Sequence, residues 1–148
     1  MRKRIEVLHG VNLDMLGKRP VEHYGDFGLA ELETKIEGFG HELGLEVTCF
    51  QTNSEDAFIE RLHQAPELTD GLILNPGAWT HYSWAIHDAL EIAGLPAVEV
   101  HLSDVNARDE WRKTSVIRDA CFLTVSGKGP EGYREALAAL KKELEGDA

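Results

Sequence analysis

Glu99 and His101 stand two apart in the apolar run AVEVHL, so on a strand their side chains leave the same face and can touch. A carboxylate there can hold one imidazole nitrogen and leave the other free to carry a proton. The alternative is a strand-end histidine satisfied by a chance neighbour. Arg19 and Tyr24 lie in HGVNLDMLGKRPVEHYG, a Gly-, Pro- and charge-rich stretch too long for a minimal connection, which suggests a mobile lid. A tyrosine of ordinary pKa, about 10, is a useful base only with a cation nearby and water excluded. Arg19 can supply that cation; taken alone, the two are also ordinary solvated loop residues. In NPGAWTHYS, Pro76 and Gly77 suit a sharp turn and Asn75 can both donate and accept hydrogen bonds. His81 there is either a ligand contact or a cap for the next helix.

These groups need a frame that gathers them. Ile5–Leu8, Leu45–Phe50, Leu72–Leu74, Ala97–Leu102 and Cys121–Val125 read as strands, the third wholly apolar as a strand covered on both faces should be. Between them, Leu29, Leu32, Ile36, Phe39 and Leu43 recur at helical spacing, with Gly44 as a stop. Ser54 caps a helix to about His63, which Pro66 is expected to end. A third helix runs from Ser83 to about Ala93, closed by Gly94 and Pro96, and a short polar helix is expected around Arg108–Arg112. The last helix begins near Pro130 and carries Tyr133, Leu137, Leu140 and Leu144. Strands alternating with helices predict an α/β fold, a doubly wound five-stranded parallel sheet of flavodoxin-like order 2-1-3-4-5, with residues 1–148 as one domain. The alternating second strand belongs at an edge. Ligands of such sheets bind beyond the carboxyl ends of the strands, where the order reverses. That rule gathers Asn12, Arg19, Tyr24, Asn75, His81, Glu99, His101, Ser103, Arg108 and Arg112 at one edge.

Composition narrows the ligand. With 15 Lys and Arg against 26 Asp and Glu the net charge is −11, which repels a phosphate backbone, so no nucleic-acid partner is expected. An anionic small molecule remains compatible, because a cleft with two or three arginines sets its own potential. The basic start MRKRIEVLHG is interrupted by Glu6 and His9, and no apolar run approaches the roughly 18 residues of a membrane span. A cytoplasmic protein without membrane association is expected. Cys49 and Cys121, in apolar surroundings, are expected to be buried free thiols. No HExxH, paired CxxC or Walker lysine occurs, and the histidines are scattered without metal-ligand spacing. GKGPEG at 127–132 matches a dinucleotide fingerprint formally, but no later strand follows to carry its acidic ribose partner.

Four ordered blocks, covering nearly the whole chain, resemble the type II 3-dehydroquinate dehydratases of the shikimate pathway. HGVNLDMLGKRPVEHYG is similar to N-G-P-N-L-x-x-L-G-x-R-E-P-x-x-Y-G, and NPGAWTHYSWAIHDAL to N-P-G-A-x-[ST]-H-x-S-x-A-x-x-D-A. EVHLSDVNARDEWRKTS is similar to E-V-H-x-S-N-x-x-A-R-E-x-[FW]-R-x-x-S, and GKGPEGYREAL to G-x-G-x-x-G-Y-x-x-A-L. The resemblance implies a lyase that dehydrates 3-dehydroquinate to 3-dehydroshikimate without metal or organic cofactor, for aromatic amino acid biosynthesis or for quinate breakdown. By position, Tyr24 would be the base, Arg19 its activator, Asn12 the holder of an enolate-stabilising water and His101, oriented by Glu99, the acid. Asn75 with the backbone of Leu102 and Ser103 would hold the carboxylate. His81, Arg112 and a neighbouring subunit's Asp88 would surround the ring hydroxyls, in trimers that build a dodecamer.

Departures from the pattern are His9 and Val11 for the usual Asn and Pro, Pro20-Val21 for Glu-Pro, and Asp104 for Asn. The first two pairs are expected to alter lid stiffness, and Asp104 to weaken anion binding unless it points away. Competing readings are a phospho-receiver or other small-molecule-binding module on the same fold, and a catalytically silent oligomeric relative. A receiver needs an acidic cluster after the first strand, where this chain has His-Gly-Val-Asn. A silent relative would most simply lack Tyr24, Arg19 or His101, and none is missing.

Overall fold

The computed structural model describes residues 2–146. Strands β1 (Arg4–His9), β2 (Glu46–Gln51), β3 (Gly71–Asn75), β4 (Ala97–His101) and β5 (Leu123–Ser126) form one parallel sheet in the order β2-β1-β3-β4-β5. This is the flavodoxin-like order expected, with β2 at an edge. The helices are α1 (Val21–Tyr24), α2 (Leu29–Glu42), α3 (Glu55–Leu68), α4 (Trp84–Ala93) and α5 (Glu131–Gly146).

Period-two alternation sends the strand residues into two separate cores. Ile5, Val7, Ile73, Val98 and Val100 meet α2 and α5 through Leu32, Ile36, Tyr133, Leu137 and Leu140. Leu8, Leu72, Leu74 and Ala97 meet α3 and α4 through Phe58, Leu62, Ile86 and Leu90. The central strands β3 and β4 are buried at every position, as strands sandwiched between helices must be.

Local chemistry sets the boundaries. The hydroxyls of Ser54 and Ser83 accept from the amides of Ala57 and Ile86, capping α3 and α4. Gly94 takes a left-handed φ of 66° to close α4. Pro66, expected to end α3, instead lies inside it: the helix runs to Leu68 and ends where the Thr69 amide donates to the Ala65 carbonyl. A proline this near a helix end sacrifices a single amide bond, and Ala65 buried one residue earlier holds the last turn in place. The short helix expected around Arg108–Arg112 is divided into 3-10 turns at Val105–Ala107 and Glu110–Lys113. Cys49 and Cys121 are half-buried rather than buried, and free. Burial nonetheless pushes the Cys121 thiol up to about 12. No helix among the described residues is long and apolar enough to cross a membrane.

Candidate active site

β1 and β3 are neighbours in the sheet but not in sequence, so the chain leaves their carboxyl ends in opposite directions and a crevice opens between the loops. The cavity there measures about 110 Å³. One water requires roughly 10–15 Å³ on that measure, so the space suits one small organic molecule. Its floor is two loops in van der Waals contact. A Cβ on Gly10 would stand 2.3 Å from the Pro76 carbonyl oxygen, and one on Gly77, whose φ is 66°, would stand 2.5 Å from that of Val11. Only glycine permits that approach, which brings Asn12 and Asn75 to the same wall.

The segment between β1 and α2 folds over this floor. Its single turn α1 delivers Tyr24 with only 8% of its surface exposed. Arg19 Nη2 donates to the Tyr24 hydroxyl oxygen at 2.8 Å, and Arg108 Nη1 donates to the same oxygen at 2.5 Å. The Arg19 guanidinium also lies 3.7 Å from the Tyr24 ring centre. Two cationic donors thus converge on one phenol oxygen. Burial lowers the Arg19 pKa, as do Arg108 and Arg112 nearby, while Tyr24 opposes the shift. Arg108 belongs to the set gathered at the sheet edge, but its hold on Tyr24 was not legible from sequence. The two are 84 residues apart, and the nearest cation along the chain, Arg19, drew the assignment. Arg19, Arg108 and Arg112 together make this cavity cationic on a chain of net charge −11.

Opposite the lid, His101 Nε2 meets Glu99 Oε2 at 2.5 Å, the same-face contact that the strand spacing predicts. Glu99 is fully buried and accepts also from Thr80 Oγ1 at 2.6 Å and from Ser115 Oγ at 2.9 Å. Burial works to raise the Glu99 pKa, yet the His101 ring and these hydroxyls together hold it below the usual carboxylate value. His101 lines the cavity, and its Nδ1 makes no hydrogen bond among the described residues, so that nitrogen is available to a ligand.

A depressed carboxylate pKa stabilises the fold above the unfolded value, about 4.3, and the contribution fades as pH falls through the folded pKa. Glu99→Gln is expected to cost about 1–3 kcal/mol at pH 7, since an amide NH2 cannot accept from the surrounding hydroxyls. The variant's stability should also depend less on pH below 4 than that of the parent. Urea titrations across pH 3–7 test both, and parallel stability curves would contradict the account.

The remaining groups fill in the walls. Asn75 is buried and lines the cavity, and its Oδ1 accepts from the Gly77 amide at 3.2 Å. The Asn12 backbone takes the left-handed region at φ 68°, and its amide donates to Asn53 Oδ1 at 2.9 Å. Ser103 Oγ receives Arg108 Nη1 at 3.3 Å, and Leu102 lines the cavity beside it. His81 is not the cap of α4, a role Ser83 fills. Its Nδ1 lies 2.6 Å from the Thr114 carbonyl, leaving Nε2 available. Burial lowers the His81 pKa and the Thr114 contact partly offsets this. Arg112 Nε is buried without a hydrogen-bond partner among the described residues, a donor in need of an acceptor. Asp104 is exposed and accepts from the Asn106 amide at 3.1 Å, so it adds no charge to the cavity wall. Asp88 sits exposed on α4 and does not line its own chain's cavity.

The family model described as Dehydroquinase class II matches residues 3–141. A 3-dehydroquinate dehydratase of Thermotoga maritima is 47% identical over 142 residues, 96% of this chain and 97% of that protein. Among solved structures, the type II dehydroquinase of Butyrivibrio crossotus superimposes with a TM-score of 0.92 at 39% identity, over 95% of this chain and 98% of that one. That of Propionibacterium acnes gives 0.90 at 41% identity, over 95% and 97%. Sheet order, loop residues and a match running nearly end to end agree, and the chain belongs to the class II dehydroquinase family.

Proposed function

We propose that this cavity dehydrates 3-dehydroquinate to 3-dehydroshikimate, with Tyr24 as base and His101 as acid. One observation carries the reading: a phenol oxygen held by two guanidinium donors in the same cavity as a carboxylate-anchored imidazole. The Tyr24 phenolate takes a proton from the carbon beside the ketone, and the electron pair of that C–H bond moves into an enolate. A water held by Asn12 donates to the enolate oxygen, where charge develops. The enolate collapses, the carbon–carbon double bond forms, and the hydroxyl one carbon further leaves as water with a proton from His101 Nδ1. One proton is gained by Tyr24 and one lost by His101, so solvent exchange restores both groups. Glu99 fixes the ring through its Nε2. Arg19 and Arg108 hold the Tyr24 oxygen in place, and Asn75 with the amides of Leu102 and Ser103 receives the substrate carboxylate. His81 and Arg112 face the ring hydroxyls. None of these steps calls for a metal or organic cofactor.

The direct test is the ultraviolet absorbance of the conjugated enone formed from 3-dehydroquinate. Steady growth of that band supports the assignment, and its absence with folded protein would leave a silent relative as the reading.

The same proposal assigns Asp88 to a neighbouring subunit's site, in a trimer that builds toward a dodecamer. It is supported by the surface around Asp88: Tyr82, Trp84 and Ile92, on or next to α4, are 60–72% exposed, an apolar patch that a subunit contact would cover. Asp88→Ala and Tyr24→Phe proteins, each nearly inactive, are expected to regain activity when dissociated and reassembled together, because some sites then receive both intact residues. Verified mixed assemblies without recovery would place Asp88 outside the neighbouring site.

A further inference from the structure

We propose a metal site at the carboxyl end of β1, formed by His9, Glu33 and Cys49 and suited to a single zinc ion. The three come from separate elements, the last residue of β1, the first half of α2 and the middle of β2. Their nitrogen, oxygen and sulfur atoms all lie within 4.8 Å of one another. His9 is fully buried, and neither ring nitrogen has a hydrogen-bond partner among the described residues. An unsatisfied imidazole in a native core calls for an explanation, because it carries the full cost of desolvation.

The geometry supplies one. His9 Nε2 points at Glu33 Oε2 across 3.6 Å. That is too long for a hydrogen bond. It suits two ligands of one tetrahedral ion, since zinc bonds of about 2.0–2.3 Å place neighbouring donors roughly 3.3–3.8 Å apart. A thiol, an imidazole and a carboxylate are a borderline-soft set that prefers zinc to magnesium or calcium. Glu33 and Cys49 are only partly buried, which leaves a route from solvent and room for a water as fourth ligand. Binding forms a zinc–sulfur bond and releases the Cys49 thiol proton to solvent. No electron is transferred.

The site is structural. His9 precedes Gly10, so an ion there ties α2 and β2 to the end of β1, behind the loop that carries Asn12. It takes no part in the proposed dehydration, which stands or falls by its own assay.

Cobalt(II), a coloured substitute for zinc, provides the test. Reduced, chelator-treated protein titrated with cobalt should develop a thiolate-to-metal charge-transfer band that saturates at one ion per chain, and zinc should bleach it. Zinc should raise the thermal midpoint of the same protein. Cys49→Ser and Glu33→Gln, which change little volume, should lose the thiolate band and the stabilisation by zinc while keeping turnover. His9→Asn should do likewise. Cobalt bound by the exposed His87, Asp88 and Glu91 on α4 would give no thiolate band. A saturated titration without that band, or a band that survives His9→Asn, would overturn the site.

Discussion

Tyr24→Phe is expected to lower kcat by at least about a hundredfold, the lower end of what a positioned general base contributes. Substrate should still bind, because the substitution removes one oxygen and keeps the ring. That ring is packed in the core and stacked under Arg19 at 3.7 Å, so the lid should still dock. The informative result is the split: the enone assay collapses while calorimetry with 3-dehydroquinate gives a dissociation constant near the parent value. Near-normal turnover would show that another group takes the proton, with His101 or His81 the next to be changed. Loss of binding and turnover together would make Tyr24 a structural part of the lid.

The second large effect concerns the guanidiniums. Arg19→Ala and Arg108→Ala each remove one of the two donors on the Tyr24 oxygen. Charge-assisted hydrogen bonds of this kind are worth about 1.5–3 kcal/mol, so a loss of roughly 10- to 150-fold in kcat/KM at pH 7 is expected for each. Arg108→Ala should fall at the upper end of that range, since Arg108 also holds Ser103 beside the proposed carboxylate site. Calorimetry with 3-dehydroquinate separates the two roles the arginines could play: reduced turnover with near-parent binding supports an action on the Tyr24 oxygen, whereas a deficit confined to binding would mean that they hold substrate and leave Tyr24 unaffected.

Sheet order and helix faces were legible because hydrophobic periodicity and capping residues report on a local backbone that tertiary packing here reinforces. Ser54, Ser83 and Gly94 all do in the structure what their types suggest. The Glu99–His101 contact was legible for the same reason, since two residues on one strand have a fixed relative geometry. What sequence obscured is contact between distant segments. Nothing local to Arg108 says that it reaches Tyr24, and nothing in Thr80 or Ser115 says that both serve one buried carboxylate. His9, Glu33 and Cys49 are likewise scattered along the chain, so no ligand spacing announces them, although β pairing sets Val7 opposite Cys49 and Leu8 opposite Phe50 and so carries His9 close to Cys49. Pro66 failed as a stop signal because burial near the end of α3 outweighs the loss of one hydrogen bond.

The contact between Gly10 and Pro76, with Gly77 against Val11, bears on how an inhibitor should be shaped. Two loops locked backbone to backbone form a floor that cannot yield without separating β1 from β3, so bulk directed downward meets atoms that have nowhere to go. The segment that carries Tyr24 is held instead by side-chain contacts, among them Arg108 from a distant part of the chain. A small anionic ring anchored at Asn75 and Arg112 and carrying an aromatic arm toward Arg19 would wedge beneath Tyr24, prising its oxygen from both guanidiniums. Such a compound would gain affinity from the arm while leaving the proposed base out of reach of the scissile C–H bond. Elaborating the same ring on its opposite side should give nothing.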